Sequence, residues 1–384
     1  MPLSRHTYSF PTRMEYGPGA LADLPKIIKG EGLSIGLLVT DQGIEKVGLA
    51  DKLRKHFADE DITIHSYSDV VSNPTEQNVI EGTKIFKENN CNFIVSLGGG
   101  SPIDVGKTIK VTAVHDEPLE ILDDTKGGDK YIVNEMPPFY AIPTTAGTGS
   151  EVGRSSVITV ESTNKKTIIF SPKMMPDIAV LDPEITLSLP AKLTAATGVD
   201  AFVHNLEAYI MDVFHPFADG LAKEGIYRCF KYLPIVIEDG NNVAARGEML
   251  MASAMGATAF QKGLGINHSI AHALSVYYNT HHGLANAAVL VEVMKYNITD
   301  EKVNQKMAAL GTLLNTENDA IAVISEIEKW LKKVGMPTDL KEIGIKTEDI
   351  EGIEEYAMDD PCRPLNPKPV VKGDVRKIIE NLLK

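Results

Sequence analysis

The sequence predicts a chain in two parts. An N-terminal α/β domain with a mostly parallel sheet spans residues 1–184, and an all-α C-terminal domain spans 185–384. Three observations carry this. Short apolar runs alternate with segments of helical period through the first half, which is how successive βαβ units read. After Leu181-Asp182-Pro183 the strand-like runs stop, and Ala-, Met- and Leu-rich stretches of helical period follow, separated by Gly, Asn and Pro. At 384 residues the chain is also longer than one ordinary core accommodates.

Taken in order, Ser34–Thr40 reads as a buried strand and Ile62–Tyr67 as another. Asn73-Pro74 opens a helix, with proline at its first position, that runs to about Asn90. Phe93–Leu97 is a third strand and leads directly into Gly98-Gly99-Gly100, after which a helix runs from about Pro102 to His115. Phe139–Ile142 and Ile178–Leu181 are further strands. Val157–Val160 and Thr167–Phe170, joined by the polar Glu161–Lys166 connection, read as an antiparallel hairpin beside the sheet. From Leu189-Pro190 onward the pattern is helical, with Gly256-Ala257-Thr258-Ala259 suited to close helix packing, so the boundary falls within 183–189.

Composition narrows the partners. Hydrophobic residues make up 43% and charged residues 23%, as in ordinary globular enzymes, while the formal net charge is −14 with no basic cluster to offset it. That argues against a nucleic-acid or anionic-membrane partner. Cys91, Cys229 and Cys362 are far apart and form no CxxC, which fits a reducing cytoplasm rather than a disulfide framework. The first residues, through Gly17, contain no apolar leader core, and no run is long enough to span a bilayer.

Chemistry concentrates in Gly263–Asn286, which holds four of the ten histidines. His268 and His272 are four apart, so on a helix both imidazoles lie on one face. His282, preceded by His281, follows after a break at Asn279-Thr280. Upstream, Asp200 and His204 repeat the spacing with a carboxylate and an imidazole. A lone histidine on an apolar helix is usually a satisfied core residue. Two such pairs, each aiming N and O donors at one point, are instead what a divalent metal requires.

A second signal lies in Ser96–Lys107. Glycines after a strand and before a helix let a backbone approach a pyrophosphate, and the helix N-terminus supplies N–H donors. The spacing matches neither G-x-G-x-x-G, since Ile103 replaces the last glycine, nor Walker A. Ile142–Glu151 is a hydroxyl-rich loop after another strand. Asp41, at the end of the first strand, could accept from a ribose diol and would repel a 2′-phosphate. Taken alone, an exposed turn acid looks the same.

The motifs GGGSPID, PTTAGTGSE, ATGVDAFVHNLEAY, GLGINHSIAH and HHGLANA, in this order, resemble the iron-containing (group III) alcohol dehydrogenase family, and the similarity runs from Phe10 to the DPCRPLNPKP tail. The resemblance implies a dinucleotide-binding α/β domain followed by a helical domain, the fold type shared with dehydroquinate synthase. It also implies a metal held by Asp200, His204, His268 and His282, with His272 a non-ligand near nicotinamide and substrate. Gly99, Gly100, Ser101 and Asp104 would lie at the pyrophosphate, and Thr144, Thr145, Thr148 and Lys166 along the rest of the cofactor. The chain departs from the family at Leu290-Val291-Glu292, where relatives carry proline, and at His281, commonly proline in relatives.

The implied chemistry is hydride transfer between a metal-polarised primary alcohol and a nicotinamide, with His272 passing a proton to solvent. Fe²⁺ is expected and Zn²⁺ is a possible occupant, because N/O sites bind zinc more tightly than ferrous iron. NAD(H) is expected over NADP(H), and the protein is expected to act on a small molecule as a cytoplasmic homo-oligomer. Lys262, six residues before His268, could pair with a substrate carboxylate. That would favour an ω-hydroxy acid such as 4-hydroxybutyrate, with succinic semialdehyde as its oxidised partner, over a plain alkanol or diol. A dehydroquinate synthase-like lyase would need a Lys/Arg-dense pocket that the histidine region lacks. A non-catalytic metal- or nucleotide-binding protein would take up metal without turning over nicotinamide.

Overall fold

In the computed structural model, which describes residues 8, 10, 12–163 and 165–384, the chain divides into an α/β unit, Met1–Thr145 with Gly149–Leu189, and a helical unit, Ala146–Thr148 with Pro190–Lys384. Most of the segment that suggested no leader, and Asn164 in the hairpin connection, lie outside the described residues.

The α/β unit begins with β1 (Arg13–Tyr16), α1 (Ala20–Gly30), β2 (Ile35–Val39), α2 (Gln42–Lys46), α3 (Leu49–Ala58), β3 (Thr63–Tyr67) and α4 (Glu76–Glu88). It continues with β4 (Phe93–Gly98), α5 (Gly100–Thr112), β5 (Phe139–Pro143), β6 (Ser155–Val160), β7 (Lys165–Phe170) and β8 (Ile178–Leu181). Six strands form one sheet in the order β1-β8-β5-β4-β2-β3, every neighbouring pair parallel. The strand alternation sorts its two faces. Leu37, Val39, Ile94, Phe139 and Ala141 pack with Val79 of α4 and Ile103 and Ile109 of α5. Leu38, Phe93, Val95, Leu97, Tyr140 and Ile142 pack with α1 and α3 on the other side. β6 and β7 pair antiparallel as a separate two-stranded sheet.

Two local expectations change. Helix α4 starts at Glu76, because Thr75 and Asn78 close a capping box in which Asn78 Oδ1 accepts from Thr75 N at 3.1 Å. Asn73-Pro74 therefore stands outside the helix. Strand β1, short and mostly exposed, was not anticipated, since it is ordered by parallel pairing with β8 rather than by its own pattern.

The helical unit comprises α6 (Ala191–Ile210), α7 (Pro216–Glu238), α8 (Val243–Ala259), α9 (Ile266–Tyr278), α10 (His282–Asn297), α11 (Glu301–Ala308), α12 (Ala320–Lys333), α13 (Ile350–Asp359) and α14 (Asp374–Leu382). Among the described residues no strand follows Leu181, and no helix is long and apolar enough to cross a membrane. Helix α6 is buried along nearly its whole length and packs against α7, α8 and α10.

Candidate metal centre and dinucleotide loop

Helix α6 presents Asp200 and His204 one turn apart, both buried. Helix α9 presents His268, buried, and His272, half-buried, one turn apart, and ends at Asn279, whose left-handed backbone (φ 50°) turns the chain. The next helix opens on His282. A Cβ on Gly283 would sit 1.9 Å from the Ala196 carbonyl oxygen, so the first turn of α10 lies directly on the α6 backbone and only glycine fits there. That approach carries His282 to Asp200.

One donor atom from each of Asp200, His204, His268 and His282 lies within 4.8 Å of the others. Asp200 Oδ1 is 3.9 Å from His204 Nε2, 3.8 Å from His268 Nε2 and 3.5 Å from His282 Nε2. Ligands about 2.1 Å from a tetrahedral ion are roughly 3.4 Å apart. The observed separations need only a few tenths of an ångström of contraction. The Asn286 amide nitrogen is 2.9 Å from Asp200 Oδ1, 3.2 Å from His282 Nε2 and 3.4 Å from His268 Nε2. These acceptors therefore converge on a single hydrogen-bond donor, an arrangement a cation would also satisfy.

Electrostatics agree with the donor set. Burial pushes Asp200 up, but His204, His282, His268 and the Asn286 amide outweigh it and bring it down to about 2. Burial, joined by His204, holds His268 well below the ordinary imidazole range, and burial does the same for His282. The carboxylate is thus charged and these two rings are neutral, the forms that bind metal.

Behind the donors stand groups that sequence reading did not single out. Glu207 Oε2 accepts from His268 Nδ1 at 2.5 Å and its Oε1 accepts from Asn267 N at 3.1 Å, with neither side chain of the Glu207–His268 pair exposed. Burial raises Glu207 to about 7 against the pull of backbone N–H donors. His204 Nδ1 lies 3.3 Å from the Gly147 carbonyl. His272 stacks on His282, with ring centroids 5.3 Å apart and 15° between planes. Its Nδ1 lies 2.8 Å from Asp360 Oδ2, and Asp360 Oδ1 accepts from Ser269 Oγ at 3.0 Å and Cys362 N at 2.9 Å. Glu207 had a signal, three residues after His204 on the same helix, as did Asn286, four after His282. Asp360 opens the DPCRPLNPKP tail but had no spacing that tied it to His272, because it comes from a turn after α13, 88 residues away.

His281 precedes the first turn of α10 without a side-chain capping bond and stays outside the histidine cluster. Glu292 accepts from Asn381 at 2.7 Å, within a helix that runs unbroken without the family's proline. Lys262 is also outside the cluster. Its side chain has 0% exposure and its ammonium is ion-paired with Asp219. The expected substrate carboxylate would have to displace an internal partner, so the sequence argument for an acid substrate loses its carrier.

In the α/β unit the sheet order reverses between β2 and β4, the crevice position where open parallel sheets bind ligands at their C-terminal ends. Thr40 Oγ1 donates to the Leu97 carbonyl at 2.8 Å, tying those ends together. Asp41 caps α2, accepting from Gly43 N at 2.7 Å and Ile44 N at 3.0 Å. Gly98 has φ +155°, and a Cβ there would meet Pro102 at 2.6 Å and Asp41 at 3.4 Å. Gly99 is the N-cap of α5, with Gly100 its first residue and Thr145 beside Gly99. Thr144 N donates to the Gly98 carbonyl at 2.9 Å, and Ser101 Oγ donates to the Ser72 carbonyl at 2.8 Å.

Asp104 is used internally, accepting from Ser150 Oγ at 2.5 Å and Val157 N at 3.0 Å, with Lys107 at 3.6 Å. Lys166, on β7, donates to Asn73 Oδ1 at 3.1 Å, and burial lowers its pKa. Thr148 belongs to the helical unit.

The sequence profile described as Iron-containing alcohol dehydrogenase matches residues 11–183, and the Fe-containing alcohol dehydrogenase family C-terminal profile matches 194–383. Alcohol dehydrogenase 4 of Schizosaccharomyces pombe is 36% identical over 385 residues, covering 100% of this chain and 90% of the relative. The 4-hydroxybutyrate dehydrogenase of Cupriavidus necator is 34% identical, covering 94% and 96%. Among solved structures, a 1,3-propanediol oxidoreductase superposes with a TM-score of 0.93 at 32% identity, over 99% of this chain and 100% of that one. A sulfoacetaldehyde reductase from Bifidobacterium kashiwanohense in complex with NAD+ gives 0.88 at 28%, over 99% of each.

Proposed function

Because the chain belongs to the iron-containing alcohol dehydrogenase family and is an oxidoreductase of alcohols and aldehydes, we propose that Asp200, His204, His268 and His282 hold its divalent metal. The convergence of four buried or half-buried donors on one point carries this reading. Fe²⁺ is the family's metal, and Zn²⁺ would compete for the same N/O set. NAD(H) is the cofactor, held by Gly99, Gly100 and Ser101 at the head of α5, with Asp41 favouring it over NADP(H). Thr144, Thr145, Thr148 and Lys166 complete the cofactor contacts, and Asp104 acts by bracing the helix that carries the glycine loop.

When bound, the metal supplies Lewis-acid polarisation of the substrate oxygen, and the nicotinamide takes or gives the hydride. The chain's own groups do the rest. Asp200 offsets one unit of metal charge. Glu207 fixes the His268 ring so that Nε2 faces the centre. His272, beside His282 but outside the donor set, takes the hydroxyl proton at Nε2 during alcohol oxidation and returns one during aldehyde reduction.

The substrate is a short primary alcohol or its aldehyde. Lys262, already paired, favours an uncharged substrate such as a diol, and similarity to a 1,3-propanediol oxidoreductase points the same way. An ω-hydroxy acid is the second reading, supported by the 34% identical 4-hydroxybutyrate dehydrogenase. The protein works as a cytoplasmic homo-oligomer on this reading, consistent with its free cysteines. The test is oxidation of 1,3-propanediol, 1-butanol and 4-hydroxybutyrate by Fe²⁺-reconstituted protein, with NAD and then NADP. Turnover that depends on added metal and is lost in His268→Ala and His282→Ala together with bound metal supports the site. Full metal content in either variant would refute it. A higher kcat/KM for 4-hydroxybutyrate than for the diol would install the second reading.

A further inference from the structure

We infer that Asp360 is a positioning residue for His272, fixing which ring nitrogen carries the proton and so which one is free to accept. The inference rests on the proton-transfer role proposed for His272 above.

An imidazole on a helix can turn about its outer torsion and exchange its two edges, and a neutral ring can carry its proton on either nitrogen. A group that must take a proton at one stated atom needs both choices settled. His272 has one face against His282, which fixes the plane of the ring but not its edge or tautomer. Asp360 supplies what is missing. Its carboxylate is acceptor-only, so the 2.8 Å contact requires Nδ1 to be the donor and leaves Nε2 as the acceptor.

The carboxylate is itself immobilised. Oδ1 accepts from the Ser269 hydroxyl and the Cys362 backbone N–H, which leaves Oδ2 for the ring. Its side chain is 6% exposed, against 30% for His272, so the held end of the pair is buried and the imidazole reaches outward. Ser269 lies on α9, three residues before His272, so the helix that carries the ring also grips its holder. Asp360 sits one residue beyond α13, in extended backbone at its C-cap. A rigid end of one helix thus orients a side chain on another. Among the described residues Nδ1 is the His272 nitrogen with a hydrogen-bond partner.

The test compares Asp360→Asn, His272→Ala and the double variant in metal-loaded enzyme. Asparagine keeps the shape but can offer either a donor or an acceptor to the ring, so the tautomer is no longer dictated. Asp360→Asn should lower kcat about 10- to 100-fold, a part of what general acid–base catalysis contributes. KM for NADH and bound metal per subunit should stay unchanged. In the His272→Ala background the same change should have no further effect. An independent readout is nitrogen NMR of the Zn²⁺-loaded, ¹⁵N-histidine-labelled protein. The wild type should show His272 protonated at Nδ1, and Asp360→Asn should show loss of that preference. Asp360→Glu keeps an acceptor-only group and should retain the wild-type tautomer and more activity than Asn, and the reverse order would overturn the inference. Equal loss of kcat in both backgrounds, or an unchanged tautomer in Asp360→Asn, would overturn it as well. If His272→Ala leaves kcat intact, the proton role proposed above fails first. If His272→Ala lowers kcat and Asp360→Asn does not, the positioning role alone fails.

Discussion

Replacing Glu207 by glutamine removes a charge one residue behind the proposed metal while keeping the size of the side chain. The His268–Glu207 contact is 2.5 Å long between side chains that are 1% and 0% exposed, so solvent does little to weaken it. A hydrogen bond to an ion contributes about 1.5–3 kcal/mol and a neutral one about 0.5–1.5 kcal/mol, so roughly 1–2 kcal/mol of hold on the ring is lost. The amide can also donate to Nδ1, which would move the proton to Nε2 and remove the ligand atom. At about 1.4 kcal/mol per tenfold, metal affinity should fall roughly 5- to 30-fold, overlapping the roughly 10- to 100-fold that loss of a carboxylate behind a metal-binding histidine typically costs. The assay is competition for Zn²⁺ against a chelator of known affinity, with thermal unfolding of the metal-free forms as control. The metal-free variant should be at least as stable as wild type, because a carboxyl that burial raises to about 7 is replaced by a neutral group. An unchanged Kd would refute the orienting role, and a large drop in metal-free stability would show that Glu207 serves the fold instead.

Asp41→Gly should raise the NADPH-to-NADH ratio of kcat/KM about tenfold by removing a charge that repels a 2′-phosphate, at only about a few tenths of a kcal/mol of lost helix capping, since glycine is itself tolerated at an N-cap. Steady-state kinetics with both cofactors check it, and an unchanged ratio would leave Asp41 only its cap. Glu151 is buried with Oε1 unpartnered, and burial raises it to about 7 against its ordinary 4.5. The folded state therefore binds more protons than the unfolded one between those values, and stability falls as pH rises through that window. Urea unfolding at pH 6 and pH 8 should find wild type losing roughly 1 kcal/mol more than Glu151→Gln, and parallel losses would refute the assignment. Lys262→Met should change stability by less than about 1 kcal/mol, because Asp219, with 39% of its side chain exposed, keeps its hydration when the lysine is gone. KM for succinic semialdehyde and for butanal should change equally, and a selective rise for the semialdehyde would restore a substrate role.

Legibility of the sequence followed the range of the interactions. The strands β2, β4 and β5 are readable because a strand buried on both faces is apolar throughout, and the Asp200/His204 and His268/His272 pairs because helical spacing is local. The choice of His282 over His272 as a proposed donor came from the family resemblance. The extra elements were not legible. β1 exists through its pairing with β8, and the true start of α4 depends on a reciprocal bond between Thr75 and Asn78. The groups behind the donors divide the same way. Glu207 shares a helix face with His204, whereas Asp360 meets His272 across 88 residues, and no spacing rule spans that. For Lys262 the position after an apolar stretch marks a buried stem but says nothing of what meets the ammonium, and the pairing with Asp219 was not legible.

The short segment Ala146–Thr148, which groups with the helical unit although it is flanked by α/β residues, bears on how this protein can be taken apart. Gly147 supplies the carbonyl nearest His204 Nδ1 and lies against Thr197 of α6. A fragment cut at residue 190 would retain all four proposed metal donors and lose the backbone that steadies one of them. The two halves are therefore not interchangeable modules. Chimeras that join one relative's first half to another's second half would carry Gly147, next to a proposed metal donor, with the α/β half, because the helical unit includes a segment that lies within the first half in sequence.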